Sequence, residues 1–275
     1  MELRGTVGLL TGASRGIGVY LARALAHKGV RLALVARSYE DLTTTAKEIE
    51  DLGGEALPIA ADVSRREDLE RVVATAREQL GPVDVLVNNA GIERYTHYQD
   101  AKLEDIEAIL RTNVLAAEWL TRLVLPDMLE RRKGHIVNIA SVAGKTAVPY
   151  NAVYSSSKHA LVGFSWSLRE ELRPQGIGVS VICPGFVSDA GMFHDWSKGK
   201  RAPSLVSTVS PQQVAAKTIG AIEGNKAEVI VSSPIMKVVD VINAISPDLA
   251  GWIGRRTRSY EYLEKQAVPA WKNED

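Results

Sequence analysis

The sequence predicts an α/β domain in which a parallel sheet is covered by helices on both faces. Seven short apolar runs recur along the chain, longer segments of helical periodicity separate them, and the runs are apolar throughout instead of alternating with polar residues. Strands hidden on both sides read this way, and regular alternation with helices gives parallel pairing through right-handed crossovers. A chain of 275 residues with 45% hydrophobic and 24% charged content can bury such a core as one domain, without a disulfide framework or a metal staple.

The first run, Thr6 to Leu10, leads into Thr11-Gly12-Ala13-Ser14-Arg15-Gly16-Ile17-Gly18, where a helix from Gly18 to Lys28 opens. Glycines between a strand and a helix let backbone approach a pyrophosphate, and the helix N-terminus adds unpaired N–H donors and partial positive charge. Gly12, Ser14, Arg15, Gly16, Ile17 and Gly18 are therefore candidate cofactor-binding residues, although the spacing Gly-x-x-x-Gly-x-Gly also suits a plain tight turn. The second run, Leu32 to Ala36, passes into Arg37-Ser38 and a helix from Tyr39 to Leu52. An acidic residue at this strand end would accept from a ribose 2′-hydroxyl and repel a 2′-phosphate. The chain has none there, whereas Arg37 and Arg15 offer charge-assisted contacts to a phosphate, so NADP(H) is favoured over NAD(H). The plainer reading makes both arginines solvated surface residues.

The third run, Ala56 to Ala60, precedes Asp62 and Val63 and a helix from Glu67 to Leu80; Asp62 is expected at the adenine. The fourth, Val83 to Val87, precedes Asn88-Asn89-Ala90-Gly91 and a single long helix from Leu103 to Arg131. Asn89, Ala90 and Gly91 either line the adenine ribose or simply form a turn. The fifth, His135 to Ile139, is followed by Ser141 and a helix from Ala152 to Arg173 that carries Tyr154 and Lys158. The sixth, Val179 to Cys183, runs into Pro184-Gly185, an irregular stretch between Ser188 and Ser210, and a helix from Pro211 to Glu223 before the last run, Glu228 to Val231. A long irregular insertion in an α/β domain is read as a substrate loop or lid, here residues 189–210.

Tyr154 and Lys158, four apart on a helix, share one face. A free phenol titrates near 10 and stays protonated at neutral pH; a neighbouring ammonium favours phenolate, which makes Lys158 the expected activator of Tyr154. Ser141 supplies a hydroxyl for the substrate oxygen. Singly, these are a packed ring with a snorkelling amine and a turn-forming serine. Beside a bound dinucleotide they suit hydride transfer between a nicotinamide and a carbonyl or alcohol carbon, which needs an acid close to the forming alkoxide.

Thr11-Gly12-x-x-x-Gly16-Ile17-Gly18, Asn88-Asn89-Ala90-Gly91, Asn113, Ser141, Tyr154-x-x-x-Lys158 and Pro184-Gly185, in this order, resemble the short-chain dehydrogenase/reductase family over about residues 5–231. The resemblance implies a Rossmann-like doubly wound seven-stranded sheet, a nicotinamide cofactor and a catalytic tetrad of Asn113, Ser141, Tyr154 and Lys158. By role, Tyr154 is the acid in reduction and the base in oxidation, Ser141 orients the substrate oxygen, Lys158 binds the nicotinamide ribose and lowers the tyrosine pKa, and Asn113 holds a relay water. Pro184, Gly185 and Val187 are implied along the nicotinamide, with the Val187 backbone at the carboxamide. Tyr150 has no lysine four residues on and is set aside. The family's usual threonine after this segment is replaced by Ser188-Asp189, so that either Ser188 substitutes for it or Asp189 begins a different loop. Family members acting on carrier-bound acyl chains typically bear arginines where this chain has His135 and Gln175, which lowers the case for such substrates.

Formal net charge is zero, so no global field favours nucleic acid, and a small-molecule carbonyl or alcohol is the expected partner. The lone Cys183 and the absence of a secretory h-region at Met1-Glu2-Leu3-Arg4-Gly5 lead to a cytoplasmic expectation; no metal is expected. Residues 1–232 are read as the dinucleotide-binding and catalytic domain. Met192, Phe193, His194 and Trp196 are either a pocket lid or loop anchors, and Lys198, Lys200 and Arg201 either meet an anionic substrate or lie in solvent. Residues 233–275 are read as a helical extension. Its apolar pattern, followed by Trp252 and Arg255-Arg256 and Arg258, favours packing on the same domain or on a neighbouring subunit over peripheral membrane contact. The resemblance also implies a homodimer or homotetramer through the long helices. The leading expectation is an NADP(H)-dependent oxidoreductase acting on a ketone or aldehyde and its alcohol, with an apolar small molecule as the substrate, which an apolar tail would suit. A 3-oxoacyl-thioester reductase and a non-catalytic dinucleotide sensor are the alternatives, the last opposed by the presence of Tyr154 and Lys158 together.

Overall fold

A computed structural model describes residues 1–189, 191–192, 208–257 and 259–267. Seven parallel strands form the sheet in the order β3-β2-β1-β4-β5-β6-β9. They are β1 (Val7–Thr11), β2 (Arg31–Ala36), β3 (Ala56–Ala60), β4 (Val85–Asn88), β5 (Gly134–Ile139), β6 (Ile177–Pro184) and β9 (Glu228–Val231). Outside it, β7 (Phe186–Val187) pairs in parallel with β8 (Thr208–Val209). The helices are α1 (Ile17–His27), α2 (Tyr39–Asp51), α3 (Arg66–Gln79), α4 (Leu103–Leu110), α5 (Ala116–Arg131), α6 (Ala152–Leu172), α7 (Pro211–Glu223), α8 (Pro234–Ile245), α9 (Pro247–Arg256) and α10 (Ser259–Glu264).

Successive strand residues feed opposite core layers. Leu32, Leu34 and Ala36 of β2 join Leu21 and Leu25 of α1, Leu42 and Ile49 of α2, and Val214 and Ile222 of α7. The intervening Ala33 and Val35 join Leu69 and Val72 of α3 and Leu120 and Val124 of α5. The period of two and burial on both faces explain why these runs are continuously apolar.

One element differs from the sequence expectation. The expected helix from Leu103 to Arg131 is interrupted by a π-helical turn at Arg111–Leu115, which separates α4 from α5. Such turns recur at functional sites. The helical tail comprises, among the described residues, three short helices; Ser246 leaves helical geometry after α8 and caps α9, accepting from Leu249 N at 3.4 Å. Phe193, His194, Trp196, Lys198, Lys200, Arg201 and Arg258 lie outside the described residues.

Candidate active site

The strand order turns back between β1 and β4, which opens a crevice at their carboxyl ends. Side chains stitch this point together. Thr11 Oγ1 accepts from both Asn89 N and Ala90 N at 3.0 Å, and Asn89 Nδ2 donates to Thr11 O at 2.9 Å and Gly12 O at 3.1 Å. Asn88-Asn89-Ala90-Gly91 is thus more than a turn. Asn88 Nδ2 also donates to Asn138 Oδ1 at 2.8 Å, and Asn138 Nδ2 to Ser165 Oγ at 2.8 Å, a buried polar chain joining β4, β5 and α6.

Glycine is required in the β1–α1 turn. Gly12 and Gly16 have φ of +65° and +61°, and a Cβ on Gly18 would lie 1.9 Å from Gly12 O. Bare backbone therefore lines the start of α1, where Gly16 occupies the N-cap without a side-chain hydrogen bond. Ser14 lies in the same turn. Arg15 and Arg37 are exposed at the ends of β1 and β2, and neither forms an ion pair with a described residue. Ser38 caps α2, accepting from Asp41 N at 3.3 Å. Asp62 Oδ1 is engaged by Ser64 N and Oγ at 2.9 and 2.7 Å, a turn cap that occupies the oxygen expected at the adenine. Val63 is buried among the α3 side chains, so any contact it makes with a nucleotide runs through its backbone.

Further along the same sheet edge, Ser141, Tyr154 and Lys158 converge. Ser141 Oγ accepts from Ala143 N at 3.1 Å, and the Ser141 side chain also hydrogen-bonds Tyr154. Tyr154 is 8% exposed and Lys158 2%. The lysine amine donates to Ile139 O at 2.9 Å and stands 5.5 Å from the centre of the Tyr154 ring. Burial raises the Tyr154 phenol well above its ordinary range, the Glu93 carboxylate pushes it the same way, and the Ser141 hydrogen bond opposes them. Burial brings Lys158 down to about 8 against the opposing pull of Glu93. Burial is the largest influence on both groups, and the amine is turned to a carbonyl of β5.

Asn113 sits in the π-helical turn, fully buried. Its Oδ1 accepts from Ile92 N at 2.8 Å, while Nδ2 donates to Ile92 O at 2.9 Å and Ser157 Oγ at 3.0 Å. Ser157 Oγ donates in turn to Tyr154 O at 2.7 Å. The Asn113 side chain is accordingly a brace between the loop after β4 and α6, with both amide hydrogens engaged. A Cβ on Gly91 would meet Asn113 Oδ1 at 3.4 Å and Lys158 Nζ at 3.5 Å, so a glycine here leaves room beside the lysine.

A cavity of about 260 Å³ unites Ile17, Asn89, Ser141, Tyr154, Lys158, Pro184, Gly185 and Val187. Its opposite wall comes from Met192 and from the tail, where Met236 and Val239 of α8 and Ala250 and Ile253 of α9 contribute apolar surface. The remaining expected cofactor residues lie outside this cavity, at the ends of β1 to β4. Ser188 Oγ donates to Asp189 Oδ2 at 2.8 Å and Ser188 N to Val209 O at 3.0 Å. His135 is buried against Ser180 Oγ at 2.8 Å, and burial lowers it to about 3, so it offers no carrier-binding surface. Sequence reasoning missed Glu93, Tyr95 and Asn151. Glu93 and Tyr95 are remote from Tyr154 in sequence and are brought to it by the fold, and Asn151 caps the helix that carries Tyr154.

An open parallel sheet with this crevice and this glycine turn is of the class that binds dinucleotides. The family model described as short chain dehydrogenase matches residues 6–201. Ketoacyl reductase HetN of Nostoc sp. is 42% identical over 270 residues, covering 96% of this chain and 93% of that protein. Among solved structures, an actinorhodin polyketide ketoreductase variant with NADPH has a TM-score of 0.77 at 35% identity, covering 84% of this chain and 97% of that one. A metagenomic short-chain oxidoreductase in complex with NADP has a TM-score of 0.72 at 32% identity, covering 84% and 98%. The chain belongs to the short-chain dehydrogenase family.

Proposed function

We propose that this protein is an NADP(H)-dependent oxidoreductase that interconverts a ketone or aldehyde with its alcohol on an apolar small molecule. The observation that carries the reading is the convergence of Ser141, Tyr154 and Lys158 in one cavity whose other wall is apolar. Gly12, Ser14, Gly16, Ile17 and Gly18 would hold the pyrophosphate, with Arg15, Arg37 and Ser38 at the 2′-phosphate. Asp62, Val63, Asn89, Ala90 and Gly91 would flank the adenosine half, and Pro184, Gly185 and Val187 the nicotinamide. The absence of any side chain at Gly18, where a Cβ would collide with Gly12 O, fits close backbone approach by that group. When bound, the nicotinamide supplies or accepts the hydride. Ser141 orients the carbonyl oxygen, Tyr154 donates its proton there, Lys158 steadies the cofactor ribose, and Asn113 keeps the loop and α6 in register. The apolar tail wall excludes water from the reacting centre.

The relatives' names favour a second reading, a 3-oxoacyl-thioester reductase. Oxidation of NADPH by 3-oxoacyl thioesters but not by simple ketones would select it. We also infer a cytoplasmic homo-oligomer built on α4, α5 and α6, where Leu103, Leu129 and Trp166 are exposed; light scattering tests the assembly. Among the described residues no helix is long and apolar enough to cross a membrane.

Fluorescence titration with NADPH and NADH tests the cofactor assignment. We expect tighter NADPH binding, weakened roughly tenfold to a hundredfold in Arg37→Asp, the range for losing a hydrogen bond to a charged group. Preference for NADH overturns the assignment. In the same preparation, Tyr154→Phe should keep NADPH binding while ketone reduction falls by about 10²–10⁴.

A further inference from the structure

Among the described residues lining the cavity, Glu93 is the one carboxylate and Lys158 the one cation. Glu93 stands two residues beyond Gly91, and Asn151, itself fully buried at the N-cap of α6, donates Nδ2 to Glu93 Oε2 at 3.0 Å. Asn151 is three residues before Tyr154, so one helix end fixes both the carboxylate and the phenol. We propose that Glu93 is a positioning residue of the site, a fixed negative charge that keeps Lys158 as ammonium and Tyr154 as phenol, so that the pair enters the cycle as an acid. This rests on the reading of the cavity as a hydride-transfer site.

The physical reason is the low dielectric of the pocket. Burial drives a lysine toward its neutral form, and a neighbouring carboxylate opposes that drive more strongly here than in water. Lys158 feels Glu93 in this sense. For Tyr154, burial and Glu93 act together to hold the proton on the oxygen. Among the described residues, the other titratable groups that act on Tyr154 or stand beside it bring no competing charge at neutral pH. Burial keeps Tyr95 protonated and raises Tyr262 of α10, and Cys183 of β6, which acts on both Tyr154 and Lys158, is pushed up to about 12. Arg94, next in the chain, is turned to Asp105 at 3.6 Å. Carbonyl reduction, which starts from phenol, is favoured by this arrangement, and alcohol oxidation calls for higher pH.

The test is a pH titration of protein carrying ε-¹³C-lysine, alone and saturated with NADP⁺, with Lys158→Arg identifying the resonance. We expect the Lys158 midpoint in Glu93→Gln to fall by about one pH unit, the scale set by a neighbouring opposite charge. Glu93→Asp, which keeps the charge, should stay near the parent. The alkaline limb of NADPH-coupled 2-decanone reduction should move to lower pH in Glu93→Gln by a similar amount. Glu93→Ala serves as the second neutral variant if the glutamine form does not fold. An unmoved lysine midpoint in a folded neutral variant overturns the proposal, even if KM changes. A parent protein that reduces no ketone or acyl thioester sinks the catalytic reading instead, and the lysine midpoint still decides whether Glu93 sets the charge of Lys158.

Discussion

Gly18 shows how much one missing atom can decide. A Cβ there would sit 1.9 Å from Gly12 O, backbone against backbone, so no side-chain rearrangement relieves it. Gly18→Ala is expected to weaken NADPH binding at least tenfold while the far-UV circular dichroism of the sheet is retained; unaltered binding would show that the turn does not hold the cofactor. This glycine was legible because its need is local, a tight passage from strand to helix. Tyr154 and Lys158 were legible for the same reason, since four residues of helix put two side chains on one face. Glu93, Asn151 and Ser157 were not. Their roles come from hydrogen bonds spanning 58 residues for Asn151–Glu93 and 44 for Asn113–Ser157, which no local pattern encodes.

At the scale of elements, α8 holds a feature with a measurable consequence. Asp240 is buried, and neither carboxylate oxygen meets a hydrogen-bond donor among the described residues. Burial raises it to about 6, with Lys145 opposing and Glu228 reinforcing the shift. Lys145 is itself engaged by Glu228 at 3.1 Å and lies over the Trp166 ring at 4.4 Å, so it is not committed to Asp240. An acid whose folded pKa lies above its unfolded value binds more protons when folded. It therefore costs nothing below about pH 4, and the cost grows as pH rises through 6 and persists above. Asp240→Asn should stabilise the protein by about 3 kcal/mol at pH 8 and by almost nothing at pH 4, read from urea denaturation at both values. Equal effects at the two pH values would refute the assignment. Asn243 Nδ2 donates to Lys145 O at 3.0 Å, so this buried acid lies on the surface that joins the tail to the body. Helix patterning identified α8 as apolar but left open what its inner face covers. The π-helical turn before α5 was equally hidden.

At the scale of the whole molecule, the tail completes the cavity that the sheet edge begins. Met236 and Ile253 belong to helices remote in sequence from Ser141 and Tyr154, yet line the same space. Replacing both by alanine removes apolar contact from the substrate side and leaves the glycine turn intact. We expect KM for an apolar ketone to rise roughly tenfold with NADPH affinity unchanged, since each buried methylene contributes about 0.8 kcal/mol. An unchanged KM would place the substrate elsewhere. The sequence by itself determined the strands, their parallel pairing and the placing of the glycine turn, Ser141, Tyr154 and Lys158, because periods of two and 3.6 and strand-end turns are local properties of the chain. Only the tertiary structure decided that Asn113 is a brace, that Glu93 shares a cavity with Lys158, that burial governs the Tyr154 proton and that the tail closes the pocket. Desolvation and long-range electrostatics depend on what packs around a group, and segments distant in the chain supply that packing.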